Sequence, residues 1–178
     1  TNANSGGSTF TVPGGLSGSA VEPISVGANS KISGNEDVID KLPSRLATSS
    51  QIMNLDGVIN STSDVNVSAT DSGSSTPGLE IGGPINAAGS AVSLASSGPI
   101  TQQAAAGITA QSLTGSSVNG ASLTATNNQI GQLGSFSNTG SGDFVLTNAG
   151  ALDVTGAVSS AGNLTLGTSG AGNGIALN

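Results

Sequence analysis

Residues 152–166 read LDVTGAVSSAGNLTL. Leu152 and Val154 form an apolar pair one residue apart, Val158 follows alone after a short turn, and Leu164 and Leu166 form a second pair. Almost everything between them is Gly, Ala, Ser, Thr or Asn. Such a run is either one coil of a repeating structure or part of a bland, flexible chain, and the choice decides the fold.

Two other stretches share the pattern: MNLDGVINSTSDVNV (53–67) and LEIGGPINAAGSAVSL (79–94). The first pairs align as Met53/Leu55, Leu79/Ile81 and Leu152/Val154. A single β-branched residue follows in each, Ile59, Ile85 and Val158, and then a second pair, Val65/Val67, Val92/Leu94 and Leu164/Leu166. Weaker copies lie between them: Leu113, Val118 and Leu123/Ala125, then Leu133, Phe136 and Phe144/Leu146. The copies start near 53, 79, 111, 131 and 152, roughly 25 residues apart, a spacing that marks stacked repeats. Within each pair the period is two, the strand period, and no helical stripe crosses the region. We therefore expect an all-β chain, a β-solenoid (parallel β-helix) of short strands with about 20–26 residues per coil.

One such coil has no partner for its apolar face, and stacking supplies one. Leu152, Val154, Val158, Leu164 and Leu166 are expected to point inward, with Asp153 and Thr165 facing solvent. Gly83, Gly156 and Gly162 are candidates for positive φ at corners.

Composition fits that reading. Hydrophobic residues make up 35% of the 178, too many for a disordered chain, and aromatics only 2%, so an aliphatic core is expected. Residues 81–142 carry no charge. In a solenoid a charge would face its own counterpart about 4.8 Å away in the next rung, whereas Ser, Thr and Asn can bond along the stack.

The same composition removes many functions. The net charge is −7, and Lys31, Lys41 and Arg45 are the only cations, so no basic patch exists for nucleic acid or anionic lipid. With no His and no Cys, His- or Cys-based triads, thiol catalysis and His or Cys metal sites are excluded. No apolar run is long enough for a transmembrane helix. The chain opens TNANSGG and closes GIALN inside an apolar pattern, so we expect a segment of a longer protein.

Residues 1–50 read differently and are expected to form an irregular lead with atypical first coils, before solenoid repeats over 51–178. Ser33-Gly-Asn-Glu36 has capping-box spacing, which predicts a short helix over 36–42, ended by Pro43. Glu36, Asp37, Asp40, Lys41 and Arg45 form the one cluster able to serve a calcium ion or a sugar. The plainer reading is a solvated helix with an Asp37–Lys41 pair. Asp143 in a Gly-rich context, the lone Thr124-Ala-Thr126 and the sequons at Asn60, Asn66 and Asn163 are single occurrences in a chain rich in these residues. No catalytic, cofactor or metal residue is assigned.

The stretch 108–166 carries LTGSS (113–117), NNQIGQLGSF (127–136), FVLTN (144–148) and ALDVTGAV (151–158). It resembles the repeat regions of filamentous-haemagglutinin-like bacterial adhesins. That resemblance implies a right-handed parallel β-helix on a secreted, cell-surface protein. It also implies export through an outer-membrane transporter (type V secretion, by the two-partner or autotransporter route). The NPNG-like and NxxGI-like motifs of the family's secretion domain are absent, which points to the repeat shaft. The expected function is a non-enzymatic display segment, a monomeric rod needing no cofactor, with a glycan or host-protein receptor as its partner. The alternative is a β-helix that binds or degrades polysaccharide, centred on 36–45.

Overall fold

The computed structural model describes the backbone of residues 9–11, 16–18, 25–26, 31–33, 36–42, 52–71 and 78–178, and the side chains of 52–70 and 78–178. The described chain is all β, without a helix. Its strands follow one another in turns. β1 (Thr9–Thr11), β2 (Leu16–Gly18) and β3 (Ser25–Val26) come first, then β4 (Lys31–Ser33), β5 (Glu36–Leu42) and β6 (Ile52–Leu55). The next turn is β7 (Val58–Asn60), β8 (Val65–Asp71) and β9 (Gly78–Ile81). In the following three, one long strand replaces the first two: β10 (Ile85–Ser96) with β11 (Ile100–Gln102), β12 (Ile108–Val118) with β13 (Ala121–Leu123), and β14 (Gln129–Thr139) with β15 (Phe144–Asn148). β16 (Leu152–Val154), β17 (Val158–Ser160) and β18 (Leu164–Thr168) complete another turn, and β19 (Ile175–Leu177) opens one more.

Every pairing is parallel, and strands pair with the strand one turn away, as in a solenoid. The first face is the ladder β1-β4-β7-β10-β12-β14-β16-β19, and the third is β3-β6-β9-β11-β13-β15-β18. Between them β2, β5, β8, the second halves of β10, β12 and β14, and β17 make the second face. Residues in register lie 27 apart at Ile32/Ile59, 26 at Ile59/Ile85, 23 at Ile85/Ile108, 20 at Thr109/Gln129 and 21 at Leu133/Val154. Five full turns run from β7 to β18, and the expected solenoid is the observed fold.

The core is a set of columns. Met53, Leu79, Ile100, Ala121 and Phe144 stack on the third face. Val65, Val92, Leu113 and Leu133 form a column on the second that Val154, at the end of first-face strand β16, continues, and beside it run Val67, Leu94, Gly115, Phe136 and Val158. All of these except Gly115 and Val158 are buried. Fully burying a Val, Leu or Ile contributes about 1.5–3 kcal/mol, so column length sets the stability of the rod. The core is not purely aliphatic. Phe136 and Phe144, reaching in from the second and third faces of one turn, stack with centroids 4.2 Å apart and planes 9° from parallel. Gly115 makes room for them, since a Cβ there would meet the Phe136 ring and the Leu94 carbonyl.

Several expectations are corrected. The copies at 53 and 79 share one frame, but those at 111, 131 and 152 stand one face on. Leu152/Val154 lie on the first ladder and Val158 on the second, with Leu164/Leu166 on the third against Phe144/Leu146. A three-faced coil repeats the same apolar pair on every face, so apolar spacing does not say which face a pair occupies. Of the five residues expected inward in this stretch, Leu152 and Val154 are buried and Val158 and Leu166 partly buried, while Leu164 is 45% exposed. No described strand pairs with β18 on its far side.

The predicted helix over 36–42 is strand β5, flanked by β2 and β8. An isolated helix of that length is marginal, and two ladders satisfy the same backbone groups better. The ladders also run across residue 50, since β4 pairs with β7 and β5 with β8. Gly83, Gly156 and Gly162 do not have positive φ. They are glycine because turns stack closely: a Cβ would strike the Gly57 carbonyl, the Ser135 nitrogen and the Gly142 carbonyl respectively.

Leu146 is buried and its neighbour Val145 only partly. Leu146→Asp should cost more than about 4 kcal/mol and abolish cooperative unfolding, while Val145→Asp should cost about 1 kcal/mol, both read from urea melts. Gly83→Ala should cost roughly 1–3 kcal/mol. Gly174→Ala, where a Cβ meets nothing within 4 Å, should stay within about 0.5 kcal/mol in the same melts.

Candidate functional site: buried corner amides and outward faces

Most of the buried polar side chains gather at two corners, the first joined by half-buried Gln102. Gln102 is in register with Ile81 and occupies a column that continues as Leu123, Leu146 and Leu166. Its amide leaves the apolar column for the corner and is fully bonded. Nε2 donates to Ala106 O (2.7 Å) and Asn128 Oδ1 (2.7 Å), and Oε1 accepts from the Ala125 N–H (3.0 Å) and Asn128 Nδ2 (3.1 Å). Asn128 Oδ1 also accepts the Ile108 N–H (2.8 Å), and its Nδ2 donates to Thr147 O (3.0 Å). One turn on, the Asn148 amide takes the Ile130 N–H on Oδ1 (2.9 Å) and donates to Ile130 O (3.0 Å), standing in for a strand. Asn128 and Asn148 are wholly buried.

The second corner holds Ser117, Asn138 and Ser160 in register. Asn138 Oδ1 accepts the Gly120 N–H (2.8 Å) and the Ser117 hydroxyl (3.1 Å), while Nδ2 donates to Gly142 O (2.9 Å) and Ser160 Oγ (3.1 Å). The turn feeding this corner is Asn119-Gly120, both at positive φ (69° and 116°), an arrangement these two residue types tolerate best. Each amide reaches neighbouring turns, so these side chains tie the stack together from inside.

Outside, the faces carry no charge over 81–142, with the carboxylates Glu80 and Asp153 on either side of that run. Asn86 Nδ2 donates to Asn60 Oδ1 (3.0 Å) on the first face, and the Ser159 hydroxyl donates to Ser137 Oγ (3.3 Å) on the second. The third presents Thr101, Ser122, Val145 and Thr165 one above another. A shallow groove of about 290 Å³ lies beside the Asn148 turn, lined by Gln129, Ile130, Gly131, Ala149, Gly150 and Ala151. Its lining offers hydrogen bonds but no titratable group.

The sequence-derived candidates do not converge. Glu36, Asp37, Asp40 and Lys41 lie along β5, in register with Val65, Asn66, Ala69 and Thr70. Four residues along a strand span about 13 Å, so the helical Asp37–Lys41 pairing has no basis. Arg45 lies outside the described residues. Asp143 is structural: Oδ1 accepts the N–H (2.8 Å) and Nδ2 (3.2 Å) of Asn163 on the next turn. Thr124 and Thr126 are exposed, with Ala125 buried between them. The sequon asparagines Asn60 and Asn163 already bond to Asn86 and Asp143. Among the described residues no three of Asp, Glu, His or Cys gather as a metal site would require, and no helix is long and apolar enough to cross a membrane.

Sequence reasoning missed the corner amides. A signal was present: Gln102, Asn128 and Asn138 interrupt otherwise regular apolar spacing. No protein-family model, no curated protein and no solved structure matches this chain.

Asp143→Ala should cost about 1 kcal/mol by leaving the Asn163 N–H without its acceptor, whereas Asp143→Asn, which keeps an acceptor oxygen, should cost less than half of that in the same thermal melts.

Proposed function

We propose that this chain is a structural display segment, part of the shaft of a large secreted bacterial surface adhesin. The carrying observation is that the inward columns continue in register through successive turns while the outward positions over 81–142 carry no charge and are mostly hydroxyl and amide groups. Such a design adds about 4.8 Å of length per turn and makes few demands on the residues outside. The adhesin context and export through an outer-membrane transporter are supported by the resemblance of residues 108–166. Recognition of a glycan or host receptor belongs, on this reading, to other parts of the protein.

The test combines binding with turn deletion. Ile59 and Ile85 are in register, so removing 59–84 joins Val58 to Ile85 and takes out one turn. The shortened chain should still fold cooperatively, and neither form should bind above background on a glycan array. Concentration-dependent glycan binding that the deletion removes, with folding intact, would replace the shaft reading with a polysaccharide-binding module.

A further inference from the structure

We propose that the amide pair of half-buried Gln102 and buried Asn128 is a register lock that fixes which face of one turn stacks on which face of the next. The need for a lock follows from the apolar pattern. The copies at 53 and 79 and those at 111, 131 and 152 fit the same template, yet the later three stand one face further round. The change of frame falls between the turn of β10 and β11 and the turn of β12 and β13. If the turn of β12 and β13 slid by one face, its Leu113 strand would leave the second face and lie on the third. Leu113 would still meet an aliphatic partner, Ile100, so the columns discriminate weakly between the two registers.

The amides discriminate strongly, and they act at this junction. Gln102 belongs to β11, and its Oε1 accepts the Ala125 N–H from the turn above. Asn128, which closes that upper turn, reaches back to the Ile108 N–H and to Gln102. A slide by one face separates the two amides. Gln102 would then lie beside Gly115 and keep only its local bond to Ala106 O, its Oε1 would lose both partners, and Asn128 would lose its bonds to Gln102. An unpaired buried amide is far less tolerable than an exchanged methyl contact, so the slipped stack is rejected. One polar position fixing alignment in an otherwise permissive apolar seam is well attested in coiled coils.

The chain has no cysteine, so engineered pairs report register cleanly. Thr101 and Ser122 are exposed neighbours in the native ladder, at a separation of about 4.8 Å that a disulfide spans. Thr114 sits natively on the second face beside Ser93, and a slide by one face brings it next to Thr101. With the amides intact, Thr101→Cys/Ser122→Cys should cross-link under mild oxidation, and Thr101→Cys/Thr114→Cys should not. In a Gln102→Leu/Asn128→Ile background, which removes both amides together, native cross-linking should fall at least fivefold and the Thr101→Cys/Thr114→Cys product should appear. Full native cross-linking in that background, with no slipped product, would overturn the proposal. So would a background chain with no β signal in circular dichroism, because the amides would then be needed for folding itself.

Discussion

The structure depends on one spacing, the separation of about 4.8 Å between a residue and its counterpart one turn away. A side chain in a parallel stack meets the residues in register with it above and below before it meets anything else. Inward, this makes volume a property of a column. Leu94, Gly115 and Phe136 follow one another on the second face, and the ring of the third is accommodated by the missing side chain of the second. Outward, the same spacing makes like charges costly and neutral hydrogen-bonding groups favourable, as at Asn60/Asn86 and Ser137/Ser159. The absence of charge over 81–142 and the abundance of Ser, Thr and Asn are one consequence seen from two sides.

Where the chain turns, the ladder cannot satisfy every backbone group, and buried side-chain amides complete it. Asn148 bonds both the N–H and the C=O of Ile130, as a neighbouring strand would. Asn128 and Asn138 take the N–H groups of Ile108 and Gly120 from inside the coil. Asparagine suits the task because one short side chain carries both an acceptor and a donor at the reach of a backbone group. Buried polar groups are tolerable only when satisfied, and here their partners come from different turns, so the corners couple turns that the columns alone would hold less specifically.

The solenoid was legible because period-two pairs, dense glycine and a recurrence of roughly 25 residues all point one way. The frame was not, since three faces present the same apolar pair and only long-range pairing separates them. Leu152 was expected to align with Met53 and Leu79 but lies on another face. Local signals misled where tertiary pairing overrode them, as in the helix expected at 36–42 that became β5. The stacking glycines were recognised as special for the wrong reason: at Gly83 the constraint is the carbonyl of Gly57 one turn below, which no local rule about φ reveals. The helix expected to assemble the acidic candidates is a strand, while the corner amides looked like ordinary polar residues in a polar chain.

This division of labour bears on function. Faces and columns are fixed by register, so little can change there without disturbing the stack. Corners are freer. The connection at the second corner is three residues between β10 and β11, two between β12 and β13 and four between β14 and β15, yet the strands on either side remain paired. A solenoid of this kind can therefore lengthen by adding turns and diversify at its corners while most of its outward positions stay uncharged. That combination serves reach better than chemistry. A catalytic site needs several different groups held at fixed distances on one surface, whereas in-register stacking favours the same kinds of group repeated along a line.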